Sequence, residues 1–211
     1  MARSNRTIVD ALMARHGRTF ASQAGIRIAR NTPAPLFQLL CLSLLFSARI
    51  SADIAVAAMQ ALRSSGWTTP KKMVDAGWRA RVDVLNKSGY ARYDERTSSM
   101  LEDASQLLLD KYRGDLRRLR EQAEFEPEAE RRLLTEFKGI GDVGVDIFYR
   151  EVQGVWSEIT PFVDKKAMQG AKQLGLPDDA RAIARLVEQK DLPRLVAALV
   201  RVQLEGDAET I

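Results

Sequence analysis

The sequence predicts an all-α protein. Apolar residues recur at helical spacing in almost every segment, no run alternates at period two for long enough to make a strand, and glycine, proline and capping residues separate the periodic stretches. Ile8, Val9, Leu12 and Met13 share the face of a first helix. Thr32-Pro33-Ala34-Pro35 then breaks the chain. Residues 35–47 are apolar on most sides, which predicts a helix buried in the core. Ser51 is placed to N-cap a helix reaching Arg63, with Ile54, Ala58, Met59 and Leu62 inward, and Gly66 ends it. Thr69-Pro70 starts a short helix, and Gly77 and Gly89 punctuate the next stretch. A long helix spans Arg92 to Tyr112, with Met100, Ala104, Leu107 and Leu108 inward, and Gly114 stops it. Residues 128–137 and 143–152 form helices on either side of Gly139-Ile140-Gly141. Residues 164–174, 179–188 and 191–204 complete the set, and 206–211 are expected to fray.

At 211 residues, 45% of them hydrophobic, the chain can bury one large core or two small lobes. A net charge of +4 and a pI of about 9.3 lean toward a polyanionic partner. The single cysteine, Cys41, lies inside the apolar run Phe37–Phe46. One cysteine excludes an internal disulfide and a cysteine-ligated cluster or zinc site, so Cys41 is expected to be a small core residue. The first thirty residues are polar and basic, unlike a signal peptide, and the run around Cys41 is too short to span a bilayer. The expectation is an intracellular protein, cytoplasmic or nucleoid-associated, with no membrane partner. The sole histidine, His16, sits in the polar segment Arg15-His16-Gly17-Arg18 and is expected at the surface.

The stretch Leu133-Leu134-Thr135-Glu136-Phe137-Lys138-Gly139-Ile140-Gly141-Asp142-Val143-Gly144-Val145 carries the chemistry. A turn with glycine on both sides of one apolar residue lets backbone amides approach a ligand with no side chain in the way. The amides at the start of the following helix add partial positive charge, and the natural ligand is a phosphate. Farther on, Asp164 follows the apolar pair Phe162-Val163 at the expected start of a helix, beside Lys165 and Lys166. The helix start and the flanking lysines both favour an ionised acid. The plain alternatives are a structural turn and an N-cap aspartate.

Together these residues resemble the endonuclease III family of helix-hairpin-helix DNA glycosylases, over roughly residues 35–176. The family's hairpin, Leu-Pro-Gly-Val-Gly-Arg-Lys-Thr-Ala, is here Phe137-Lys138-Gly139-Ile140-Gly141-Asp142-Val143-Gly144-Val145. Its Val-Asp-Thr-His is Val163-Asp164-Lys165-Lys166, and its Leu-Leu-Ser-Ala-Gln is Leu45-Phe46-Ser47-Ala48-Arg49. Leu85-Asn86-Lys87-Ser88-Gly89-Tyr90 resembles the turn the family places before its long helix.

The resemblance implies a two-lobed helix-hairpin-helix glycosylase fold with a cleft between the lobes. One is a six-helix lobe over 35–152, and the other joins 1–34 to 153–211. It implies a monomer acting on double-stranded DNA that contains a damaged base, with the base flipped from the stack. Gly139, Ile140, Gly141, Gly144, Lys165 and Lys166 would bind DNA, and Arg49 would fill the gap left by the flipped nucleotide. Asp164 would be catalytic, stabilising the positive charge that develops on the sugar. A carboxylate about 4 Å from such a charge, at an effective dielectric of about 20, contributes on the order of 4 kcal/mol, roughly a thousandfold in rate. No iron–sulfur cluster is implied, and a monovalent cation at the hairpin backbone is compatible with the pattern.

The chain departs from the family at several positions. Val143 stands where bifunctional members carry the Schiff-base lysine, so lyase chemistry through that residue is excluded. Asp142 replaces an arginine close to the phosphate position, and Lys165 follows the aspartate in place of a threonine, with Lys166 in place of the histidine. Lys138 and Lys165 are the nearest lysines. Basic residues that could complete a DNA face are Lys71, Lys72, Arg79, Arg81, Arg117, Arg118, Arg120 and Lys172, and Trp67, Trp78, Tyr90, Tyr93 and Trp156 could stack on a base. Three readings follow: a monofunctional glycosylase, a catalytically inactive helix-hairpin-helix protein that recognises damaged or bent DNA, and an unrelated all-α scaffold.

Overall fold

The computed structural model describes residues 4–211. Among these residues all regular structure is helical: thirteen α-helices, several short 3-10 turns and one π-helical turn. The chain divides into two compact units, Gln23–Phe148 and a terminal unit that joins the chain up to Ser22 with Tyr149–Ile211. The larger unit begins earlier than the sequence-based 35 for a physical reason, and it ends at Phe148 rather than 152. Gln60 Nε2 donates to Gln23 O (2.8 Å) and Arg63 Nη1 to Ala24 O (2.7 Å), which ties residues 23 and 24 to a helix of the larger unit.

The larger unit is built on α3 (Pro33–Phe46), where Leu36, Phe37, Leu39, Leu40, Cys41, Leu42, Leu44 and Leu45 are all buried. Its prolines fall in the first turn, where the missing N–H costs nothing. α4 (Ala52–Ser64) begins where Ser51 Oγ accepts the N–H of Ile54 (3.4 Å), and it turns Ala55, Ala58, Met59 and Leu62 into the core. α5 (Pro70–Asp75) and α6 (Trp78–Leu85) pack on α7 (Asp94–Tyr112). Arg81 is wholly buried there: it donates to Met73 O (2.6 Å) and Ser98 Oγ (3.2 Å) and pairs with Glu102. Arg81 is therefore a structural residue and not part of an exposed basic face. α7 starts two residues later than expected because Gly89, at φ +90°, closes the π-helical turn Asn86–Tyr90 ahead of it. α8 (Leu116–Gln122), α9 (Pro127–Leu134) and most of α10 (Asp142–Val152) complete the unit.

The terminal unit contains α1 (Asn5–His16), most of α2 (Phe20–Gln23), the end of α10, α11 (Lys165–Gln173), α12 (Ala180–Ala184) and α13 (Leu192–Glu205). α13 is its core, with Leu195, Val196, Leu199, Val200 and Val202 buried, and α1 and α11 pack on it. The C-terminal residues do not fray. Residues 208–210 form a 3-10 turn, Ile211 is buried, and Asp207 Oδ2 lies 3.0 Å from both His16 Nε2 and Arg15. His16 is accordingly buried, contrary to the sequence expectation, because a carboxylate distant in sequence supplies its partner. No helix among the described residues is long and apolar enough to cross a membrane.

The α11–α13 contact is as close as backbones allow. A Cβ on Gly170 would lie 2.1 Å from Leu199 O. Gly170→Ala should therefore lower stability by about 2 kcal/mol, an overpacking cost, although helix propensity alone would raise it by about 1 kcal/mol. Thermal unfolding followed by circular dichroism reads the sign.

Candidate functional site

The turn between α9 and α10 is pinned from inside and bare outside. Phe137 is buried and stacks on Tyr112 at 6.2 Å, and Phe137 O accepts the N–H of Ile140 (2.9 Å). Gly139 adopts φ +93°, and a Cβ there would lie 2.8 Å from Met100 Sδ and 3.4 Å from Leu44 Cγ. Ile140 is buried, so it anchors the turn and offers no side chain outward. A Cβ on Gly144 would meet Ser47 Oγ at 2.9 Å and Ile140 Cγ2 at 3.3 Å. At Gly141, by contrast, an added Cβ meets nothing within 4 Å, and its φ is not positive. Neither packing nor backbone conformation requires glycine there.

Beyond the turn, the first α10 hydrogen bond runs from Val145 N to Gly141 O (3.0 Å). The N–H groups of Gly141, Asp142, Val143 and Gly144 have no backbone acceptor among the described residues, as in the first turn of any helix. This row of donors faces a nearby negative charge. Asp142 is 86% exposed, and Arg131 of α9 approaches it at 3.9 Å while donating to Asp146 Oδ1 (2.7 Å). Val143 is 63% exposed and carries no nucleophile. Lys138 is paired with Asp103 at 2.8 Å. Arg49 follows the end of α3, exposed, and lines a cavity of about 380 Å³ with Tyr93, Arg96, Met100 and Gly139. Gly139, Gly144, Ser47 and Arg49 are thus gathered at one place in the larger unit.

Asp164 belongs to the terminal unit and N-caps α11, with Oδ1 accepting the N–H of Ala167 (2.8 Å). Its Oδ2 accepts from Arg150 Nε. The pair is buried: the Asp164 side chain is 3% exposed and that of Arg150 10%. Gln153 fixes the approach to the acid, accepting from Phe162 N (2.9 Å) and donating to Phe162 O (3.0 Å). Thr160 Oγ1 donates to Gln153 O (2.8 Å). Lys165 and Lys166 occupy the first turn of α11, where cations oppose the helix dipole, and neither has a carboxylate partner among the described residues. Helix stability does not explain them.

Sequence reasoning missed Arg150 and Gln153. The available signal was a cluster of polar residues, Arg150, Glu151 and Gln153, directly after the apolar stretch Ile147-Phe148-Tyr149, since buried polar groups need partners. Glu151 Oε1 accepts the N–H of Ala21 (3.0 Å), and burial pushes its carboxyl above the usual range against the pull of those hydrogen bonds and of Arg150. Several expected DNA-face residues are paired locally: Lys71 with Asp75 at 2.6 Å and Arg117 with Asp115 at 2.7 Å. Tyr90 and Trp156 are core residues. Tyr90 donates to Leu45 O (2.8 Å), and burial pushes its phenol up to about 12. Trp78 and Tyr93 remain partly exposed. His16, Glu205 and Asp207 place ligand atoms within 4.8 Å of one another, but Asp207 is already compensated by Arg15.

The glycines separate packing from function. Gly139→Ala should cost about 1–3 kcal/mol of stability from overpacking and left-handed strain, while Gly141→Ala should stay within about 0.5 kcal/mol of wild type. Urea unfolding of both variants checks this. Glu151 yields a pH prediction. A carboxyl raised in the folded state binds its proton more readily there than in the unfolded chain. Stability from this group therefore falls as pH rises from the unfolded value near 4.3 through the raised folded value. Glu151→Gln keeps an acceptor for Ala21 and should be at least as stable as wild type above that window, with a flatter stability–pH curve across it.

No protein-family model matches the chain, and no curated protein or solved structure matches it.

Proposed function

We propose that this chain is a monofunctional DNA glycosylase of the helix-hairpin-helix kind, hydrolysing the N-glycosidic bond of a damaged base flipped from duplex DNA. The observation that carries this reading is the row of N–H groups from Gly141 to Gly144, bare of side chain at Gly141. Such a row grips a phosphate oxygen without reading sequence. Lys165 and Lys166 add the positive charge that a polyanion favours, and Arg49 is exposed beside the hairpin as a wedge would be. Asp164 supplies the carboxylate that meets the sugar cation, held in place by its N-cap bond to Ala167. With Val143 at the lyase position, the product is an abasic site in an intact strand. The reading also draws on the resemblance to the endonuclease III family, including the two-lobed fold that goes with it.

One observation favours the second reading, DNA recognition without chemistry. The carboxylate of Asp164 is already neutralised by Arg150, and a guanidinium in contact with an acid cancels most of its attraction for another cation. The two readings separate on base release from duplexes that each carry one lesion, assayed with and without alkali. The glycosylase reading expects strand cleavage only after alkali, reduced about a thousandfold in Asp164→Asn. Salt-dependent binding with no release from any lesion would establish the second reading, and cleavage without alkali would mean that a lysine acts as a lyase.

A further inference from the structure

Arg150 is committed to Asp164 through Nε alone. Its two terminal nitrogens make no hydrogen bond among the described residues, yet they are not among the fully enclosed polar atoms that lack a partner. The guanidinium therefore holds the acid with one edge and keeps its fork, the edge that fits phosphate oxygens two at a time, uncommitted. The acid is closed by the same contact, because Ala167 takes its other oxygen and only 3% of the side chain is exposed. The neighbouring charges at the start of α11 are Lys165 and Lys166, which would draw a polyanion to this end of the helix.

We infer that Arg150 is a phosphate-responsive counterion of Asp164: it covers the carboxylate in the free protein and turns to a DNA phosphate when duplex binds, uncovering the acid only on DNA. This rests on the DNA-binding reading proposed above. Arg150 is a positioning residue, since it acts through Asp164. The exchange trades one charge-assisted hydrogen bond for two at the arginine, and it leaves Asp164 held by the Ala167 N–H with its charge open to the sugar cation. Gln153 keeps the segment before Asp164 in place while the guanidinium moves, because its bonds run to the backbone of Phe162 and Arg150 and to Thr160, not to the acid or the guanidinium.

The test is the salt dependence of binding to a duplex carrying a tetrahydrofuran abasic-site analogue, measured for the full chain, Arg150→Gln and Arg150→Lys. Losing one phosphate contact should lower the slope of log K against log salt by about 0.9 in Arg150→Gln, with affinity reduced about tenfold, and Arg150→Lys should restore most of the slope. A purely structural role would leave the slope unchanged. The same exchange is read in wild type, should Arg150→Gln not fold, from the arginine Nε–H resonances by NMR. The Arg150 signal should leave its carboxylate-bound position as the duplex saturates. An unchanged slope, or an Arg150 signal unmoved on saturated protein, overturns the inference while leaving DNA binding intact. Absence of any binding by wild type overturns the underlying reading as well, and is seen separately as no complex at any salt.

Discussion

The close approach of the chain at Gly139 to α3 and α7 is the constraint on which the candidate site depends. A Cβ there would press on Met100 and Leu44, and the left-handed backbone is the stricter demand for glycine. Ile140 fills the space beneath the turn, and Gly144 brings the first turn of α10 against Ser47. Three residues spaced along six positions thus fix where α10 begins and how its unbonded N–H groups are presented. Gly141 alone is exempt from this packing. A glycine that the fold does not require, in a turn whose other glycines it does require, is the feature that most favours a ligand over a merely structural turn.

The same helix ends on a different problem. Burying a carboxylate and a guanidinium together is costly unless their remaining hydrogen-bonding capacity is met. Asp164 meets that demand through the α11 N-terminus and Arg150, whereas Arg150 meets it only in part. Apolar groups in place of the pair would avoid that cost but would also remove the cap of α11. Glu151, adjacent and also buried, is fully explained by its bond to Ala21 and shows what a structural carboxylate looks like in this unit.

Local chemistry in the sequence made much of this legible. Ser51 and Asp164 cap helices because a short polar side chain can reach the N–H three residues on, and both do so. The apolar run of α3 announced a core helix, and it is one. What stayed hidden depends on partners distant in the chain. His16 reads as a surface residue until Asp207 supplies its hydrogen bond, and the tail after Gly206 reads as frayed for lack of the same contact. Arg81 reads as one more exposed base until the carbonyl of Met73 and the carboxylate of Glu102 enclose it. Arg150 shows in the sequence only as part of a polar cluster at the end of α10, because spacing along that helix says nothing about the acid that caps α11.

The hairpin amides are where the proposed DNA contact is most directly open to measurement. A titration of the backbone amide resonances with a short duplex would test it. The account predicts that the signals of Gly141, Asp142, Val143 and Gly144 move most on addition of DNA, and return as salt releases the phosphate. Signals that stay fixed there while others shift would place DNA elsewhere on the protein and contradict the account.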